Sequence, residues 1–343
     1  MFQDNINIIG SQCGTHSIFE VEKKFNKYFQ KEMNSIGMCN ATMAIMSVLI
    51  ALDLKPGDKI VTTPYTWGGT ISGALFMGLN IVFADIDPLT LTLSPEAVES
   101  KIQLHKDIKL ILDVDIHGNP SRSYEINKLA NKYNCFHLID SASGFGAFYK
   151  GKPTGFYSDA VIHSFSESKN INVGEGAILA IRDENLFEKV VYQTQHPYRA
   201  KRDAPSYLLN QFALNFRMHP YSAHLLQSQF EQAIIDIEKK RKKILNFFEN
   251  FKSFSGEDIL YISLKEYLPS FNRICIKVNE NIIKNLVSYQ EAQEFEIIPS
   301  TIEKLLFQDL EIINQGFEKQ VINSVMCNTA LEIIHTSVEI KLK

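Results

Sequence analysis

The chain is poor in the features that mark several large classes of protein. Its five cysteines, Cys13, Cys39, Cys135, Cys275 and Cys327, stand far apart, with no C-x-x-C pair and an odd total. That spacing speaks against a disulfide framework or a zinc cage and fits reduced thiols acting as small buried hydrophobes. No charge of one sign dominates: 35 basic against 39 acidic side chains leave a net −4. Such a balance gives no general grip on polyanions, and no basic stripe is long enough for nucleic acid. The longest nearly apolar run, Ala41 to Leu52, falls short of the ~18 residues a membrane span needs. The opening MFQDNINIIG has neither the basic start nor the apolar core of a secretory signal, so a cytoplasmic protein is expected. The G-x-x-x-x-G-K-[ST] phosphate loop is missing, and the nearest dinucleotide fingerprint, beginning at Gly144-Phe145-Gly146, lacks its third glycine. His219 and His224 are off the one-face spacing of H-E-x-x-H, and G-x-S-x-G is absent. Nicotinamide, zinc-peptidase and serine-hydrolase chemistries are therefore disfavoured, and no metal is expected.

What is present is the composition of a well-cored globular chain, 45% hydrophobic and 22% charged over 343 residues. From Lys59 to Ile181 short β-branched runs alternate with helix-length segments, which predicts an α/β fold built on a parallel sheet with crossover helices. The runs are KIVTTP, NIVFADI, IKLILDVDI, FHLID, DAVIHSF and GAILAI, and their continuous apolarity implies burial on both faces. Ala41–Asp53, Thr66–Gly78, Ser94–Gln103 and Ser123–Tyr133 carry apolar residues at helical spacing. Ser94-Pro95 suits an N-cap followed by the first helical position. After Pro220 a long helical pattern runs to about Phe251, and the charge run EKKRKK within it (Glu238–Lys243) reads as a solvated face. LYISL, NRICIKV, EFEIIPS and a closing ALEIIHTSVEIKL read as strands of a smaller α/β unit. The expected division is a large domain over 1–220, then the long helix and a small C-terminal domain over 221–343.

The candidate chemistry lies at strand ends. Asp140 closes FHLID, at the edge where an open α/β sheet presents its ligands, and Lys169 follows DAVIHSF in the loop Ser166-Glu167-Ser168-Lys169-Asn170. An aspartate and a lysine at adjacent strand ends suit pyridoxal phosphate, the amine forming a Schiff base with the aldehyde and the carboxylate stabilising the protonated pyridine nitrogen. On spacing alone, a surface lysine and a helix-capping aspartate are the favoured reading. Ala41 and Thr42 open a strongly helical stretch, where backbone N–H groups and a hydroxyl suit a phosphate. Ser164 offers a second hydroxyl from a strand end. Trp67, the only tryptophan, sits after a strand in TTPYTWGGT, placed either to stack on a planar ring or to pack in the core.

Together these residues resemble the DegT/StrS family of pyridoxal-phosphate sugar aminotransferases, in the aspartate aminotransferase fold (type I). The resemblance runs from about Gly14 to Glu231. It is carried in order by FEVEKKFNKYF, LDLKPGDKIVTTPYTW, FADIDPLTLTLSPEAVE, LIDSASGFGAFYKGKPTGFYSDAVIHSFSESKNINVGEGA and NFRMHPYSAHLLQSQFE. It implies that Lys169 is the internal-aldimine lysine, Asp140 the partner of the pyridinium and Trp67 the stacking aromatic, with phosphate ligands at Ala41, Thr42 and Ser164. It also implies that Asn215 reaches the phosphate of a neighbouring subunit, hence a homodimer with shared active sites. The chain departs from the family pattern at Asn40-Ala41-Thr42, where Ser-Gly-Thr is usual. Ser143 and Phe145 replace a glutamine, which normally supports the cofactor ring, and a histidine.

The implied reaction is a two-stage transamination: an amino-acid donor, glutamate in most relatives, converts the cofactor to pyridoxamine phosphate, which aminates a keto-sugar or related acceptor. The segment HPYRAKR (His196, Arg199, Lys201, Arg202) offers charge for the acceptor, although the sequence favours a solvated loop. The alternatives are a dehydratase or lyase of the same family, and a cofactor-binding homologue without catalysis. Dehydrating relatives tend to replace the lysine that this chain keeps.

Overall fold

The apolar runs assemble into one eight-stranded sheet. The computed structural model describes residues 16–196, 199, 212–255, 266–290, 295–308, 316–317, 319–322 and 327–342. The strands of the sheet are β1 (Asn34–Met38), β2 (Lys59–Thr62), β3 (Asn80–Phe83), β4 (Ile108–Val114), β5 (Phe136–Asp140), β8 (Ala160–Ser164), β9 (Ala177–Ile181) and β13 (Val321–Ile322), in spatial order β1-β9-β8-β5-β4-β2-β3-β13. The short pair β6 (Phe148–Tyr149) and β7 (Lys152–Pro153) lies outside it, joined by β10 (Tyr267–Leu268).

Alternate residues of the central strands face opposite layers, so each run must be apolar throughout. Leu138, Ile162 and Leu179 enter a core shared with α2 (Ala41–Ala51), α3 (Gly69–Phe76) and α6 (Glu184–Thr194). Ile139, Val161 and Ile178 enter a second core shared with α1 (His16–Tyr28) and the start of α7 (Pro220–Ser255). Val61, Val82 and Ile111 pack under α4 (Pro95–Leu104) and α5 (Ser123–Tyr133). The expected cap holds: Ser94 accepts a hydrogen bond from the backbone N–H of Ala97 (3.2 Å), with Pro95 at the first helical position.

Two expectations need correction. The run GAILAI was read as part of a parallel sheet, yet β9 runs antiparallel to both β8 and β1. The chain between β8 and β9 contains no helix to carry it back across the sheet, and it closes on itself through Phe165 N to Gly176 O (2.9 Å). The closing segment ALEIIHTSVEIKL is only half strand. Its first part lies in α9 (Asn328–Thr336), which buries Ala330 and Ile333 against the main core, and its second part is β14 (Ser337–Leu342).

The C-terminal part forms a three-stranded antiparallel sheet, β11 (Ile274–Lys277), β14 and β12 (Phe295–Pro299). Its core joins Ile274, Ile276 and Ile340 to Phe247, Phe248 and Phe251 of α7 and to Ile282 and Leu286 of α8 (Glu280–Gln290). One piece of this region returns to the large sheet: Val321 and Ile322 pair in parallel with Ile81 and Val82 of β3. Among the described residues no helix is long and apolar enough to cross a membrane. Of the described cysteines, Cys135 and Cys327 are buried as expected, whereas Cys39 and Cys275 are half-buried; Cys13 lies outside the described residues.

Candidate active site

The site lies beyond the carboxyl ends of β5 and β8, neighbours in the sheet, where Asp140 pairs in register with Ile162. There a cavity of about 670 Å³ opens. Ala41, Thr42, Trp67, Asp140, Ser143, Ser164 and Lys169 all line it, and these are seven of the eight site residues expected from sequence.

Each is placed by its local fold. Asn40 takes an extended backbone (φ −163°, ψ 170°), and its side chain accepts from Met43 N at 2.9 Å, so it caps α2. Helix geometry leaves the N–H groups of Ala41 and Thr42 without an acceptor one turn back, and the helix N-terminus adds a partial positive charge. Gly69 lies across from them. A Cβ there would stand 3.0 Å from Thr42 Oγ1 and 3.4 Å from Trp67 Cδ1, so glycine keeps the space between these two side chains open. Trp67 itself is 75% exposed at the rim, which removes the core-packing alternative.

Asp140 is buried. Its Oδ2 accepts from Thr70 Oγ1 (2.7 Å) and its Oδ1 from Ala142 N (3.1 Å). Burial pushes the carboxyl above its usual range, opposed by those two donors and by the charge of Lys169. Lys169 sits in a turn closed by its own N–H on Ser166 O (3.0 Å), and its Nζ donates to Ser143 Oγ (3.1 Å). Burial pushes this amine below its usual range, and nearby Arg273 acts in the same direction; Asp140 pulls it back up. Ser143 thus meets the lysine in this structure. Phe145 belongs to an aromatic cluster with Phe25, Tyr28, Phe165 and Phe230.

Asn215 is not brought to this cavity: it is exposed, and its Oδ1 accepts from Arg217 Nε (2.7 Å). Of the HPYRAKR segment, Arg199 departs from both expectations. Arg199 is buried, and its Nη2 contacts both carboxylate oxygens of Glu22 (2.6 Å each). Glu22 in turn accepts from Gly37 N at 2.8 Å, so this arginine ties α1 to β1, away from the cavity. Lys201 and Arg202 lie outside the described residues, and His196 does not line the cavity.

Several lining residues were missed. Thr70 follows Thr66 by one helical turn, and their hydroxyls meet at 2.9 Å, a spacing that was legible in TTPYTWGGT. His117 is buried with a left-handed backbone (φ 59°), bonded through Nε2 to Tyr65 OH (3.1 Å), and burial pushes it down to about 4. Arg273 arrives from the C-terminal part: its backbone N–H donates to His117 O (3.0 Å) and its Nη1 to Glu339 Oε2 (3.0 Å). No local motif marks either residue.

Fold and cavity define an open-sheet α/β protein in which a half-buried lysine and a buried carboxylate line one cavity at the sheet's carboxyl edge. The chain belongs to the DegT/DnrJ/EryC1/StrS aminotransferase family, whose model matches residues 11–302. It is 28% identical over 224 residues to a GDP-perosamine synthase of Escherichia coli O157:H7, covering 65% of this chain and 60% of that protein. Among solved structures, the aminotransferase of Psychrobacter cryohalolentis superposes with a TM-score of 0.78 at 22% identity, covering 94% of this chain and 85% of that one. The E. coli GDP-4-keto-6-deoxy-D-mannose-3-dehydratase with bound hydrated PLP gives 0.77 at 17% identity, covering 95% and 87%. The matched region spans 62%, 60% and 62% of three of the curated relatives.

Proposed function

We propose that the protein is a pyridoxal-phosphate-dependent aminotransferase that passes an amino group from an amino-acid donor, glutamate, to a keto-sugar or related carbonyl acceptor. The observation that carries this reading is the meeting of Lys169, Asp140 and the free end of α2 around one cavity. The residues fit the cofactor: the space kept open beside Gly69 adjoins unpaired helix N–H groups suited to a phosphate, and Asp140 offers a buried carboxylate to a ring nitrogen.

When bound, pyridoxal phosphate supplies an electrophilic aldehyde and a ring that takes up the electron pair left by a breaking C–H bond. The chain's own part is nucleophile, anchor and base. Burial lowers the proton affinity of Lys169 Nζ, which favours the neutral amine needed for attack on a carbonyl carbon and for taking a substrate proton. Asp140, held by Thr70 and Ala142, fixes a negative charge where a protonated ring nitrogen is favoured. Ala41, Thr42 and Ser164 would hold the phosphate, and Trp67 at the rim would cover the ring. Ser143 Oγ accepts from Lys169 Nζ and orients the amine. The division into a cofactor-binding part, 1–220, and a C-terminal part, 221–343, belongs to the same proposal, as does a homodimer in which Asn215 completes the partner's site.

Borohydride reduction of the protein loaded with pyridoxal phosphate, followed by peptide mass spectrometry, tests this. The pyridoxyl label is expected on Lys169 and absent from Lys169→Ala; a label on another residue, or an unchanged label in the variant, removes Lys169 from its role. Formation of one equivalent of oxo acid from the donor separates amino transfer from dehydration.

A further inference from the structure

The charge run EKKRKK was expected to face solvent along its length, but α7 turns two of its members inward. Arg241 is buried, donating through Nε to Pro269 O (2.8 Å) and through Nη2 to Gly146 O (2.5 Å). Lys240 is half-buried and projects into a smaller cavity of about 220 Å³ lined also by Ser168, Phe271, Arg273 and Glu339. Ser168 and Arg273 line the main cavity too, so the two spaces adjoin directly beside Lys169.

We propose that Lys240 and Arg273 form an oxyanion subsite beside the cofactor cavity, which takes a carboxylate or phosphate carried by the substrate. This rests on the functional reading above and names a chemical property of its substrate. The lining of this cavity carries unbalanced charge. Glu339, the one carboxylate among the described lining residues, is already committed: its Oε2 accepts from Arg273 Nη1 and its Oε1 from Thr301 N (2.7 Å) and Thr301 Oγ1 (2.5 Å). Among the described residues no carboxylate pairs with Lys240, whose Nζ finds only Asn170 Oδ1 at 3.4 Å. Burial accordingly pushes this amine down to about 8, with no neighbouring anion to restore it. Two cations against one spent carboxylate leave a positive site that a substrate anion neutralises by charge-assisted hydrogen bonds. Asn170, next to Lys169 in sequence, links the amine of Lys240 to the catalytic loop and bonds through Nδ2 to Ser270 O (3.4 Å), so occupancy here registers where the chemistry occurs.

The test uses the protein loaded with pyridoxal phosphate, so that the cofactor fills its own phosphate cradle, and measures inorganic phosphate binding by calorimetry. One phosphate per chain is expected in the wild type and in Lys239→Met, a control on the exposed face. Binding should be at least tenfold weaker in Lys240→Met and restored in Lys240→Arg. Equal binding by wild type and Lys240→Met, or none by wild type, overturns the subsite. A second arm finds the anion's source by following the cofactor's absorbance during conversion by L-glutamate and by L-glutamine. A loss in Lys240→Met confined to glutamate, tenfold or more, assigns the subsite to the donor's side-chain carboxylate. Unchanged conversion by both, with phosphate binding lost, assigns it to the acceptor. Equal slowing with both donors, with phosphate binding lost, assigns it to the α-carboxylate that both carry. A missing cofactor band sinks the functional reading together with the subsite, whereas a normal band with phosphate binding independent of Lys240 sinks the subsite alone.

Discussion

At the scale of single residues, Asp140 carries a burial cost that Thr70, Ala142 and Lys169 offset only in part. Its carboxyl titrates above the usual range because burial disfavours the charge, so the empty site loses stability as pH rises from the unfolded value through the folded one. Asp140→Asn removes that charge and keeps an oxygen acceptor for Thr70. The cofactor-free variant is expected to melt at the wild-type temperature or higher by scanning calorimetry, while turnover of the loaded enzyme falls by about a hundredfold or more. Rates near wild type would show that the ring nitrogen needs no anion here. Asp140, Lys169 and Ser164 were legible because strand ends are readable as the ends of apolar runs and their order matched a family. Arg273 and His117 were not, since each reaches the cavity only through long-range packing. Arg199 misled for a related reason: a basic residue in a polar stretch gives no local sign that Glu22, far back in the chain, will pair with it.

At the scale of elements, the buried two-sided strands set the acid limit of the fold. His163 on β8 lies fully buried, stacked on Phe29 with centroids 5.9 Å apart, and its Nδ1 meets Ser141 O at 3.1 Å while Nε2 has no partner. Nδ1 therefore carries the proton of the neutral ring, and burial pushes the group down from 6.5 to about 4. A folded-state value below the unfolded one gives stability that is full above pH 6.5 and is lost as pH falls toward 4, on the order of 3 kcal/mol for such a shift. His163→Phe, which suits its aromatic surroundings, is expected to flatten the decline in stability across that window in urea titrations at stepped pH. An unaltered slope would assign the decline to other groups. Strand identity was legible for all six central runs, because apolarity on both faces leaves a strong signal. The direction of β9 and the helical start of the last segment were not: the first depends on what the connecting loop can span, and the second on packing against a distant core. The inward turn of Lys240 was hidden within a run of charge.

At the scale of the whole molecule, the cavity as built by one chain is open on the side of Trp67. Asn215 does not line it, and the stretch around it exposes Phe212, Leu214, Tyr221 and Leu225. The homodimer proposed above predicts that the wild type sediments at twice the chain mass, and that Leu225→Glu shifts it to the monomer and weakens cofactor retention at least tenfold by equilibrium dialysis. A monomeric wild type with full activity would refute shared sites. The large sheet was foreseeable because most of its strands follow one another in the chain. Its last strand was not, since β13 is a two-residue pairing contributed from the far end of the described chain. That pairing has a consequence for biosynthesis. Ile81 N–H bonds to Gln320 O (2.7 Å), and Gln320 Nε2 to Leu75 O (2.9 Å), so among the described residues the outer edge of β3 is covered by a segment made long after the strand itself. Until that segment emerges, the nascent chain displays a bare strand to its neighbours on the same polysome, a window in which chaperone shelter matters more than final stability.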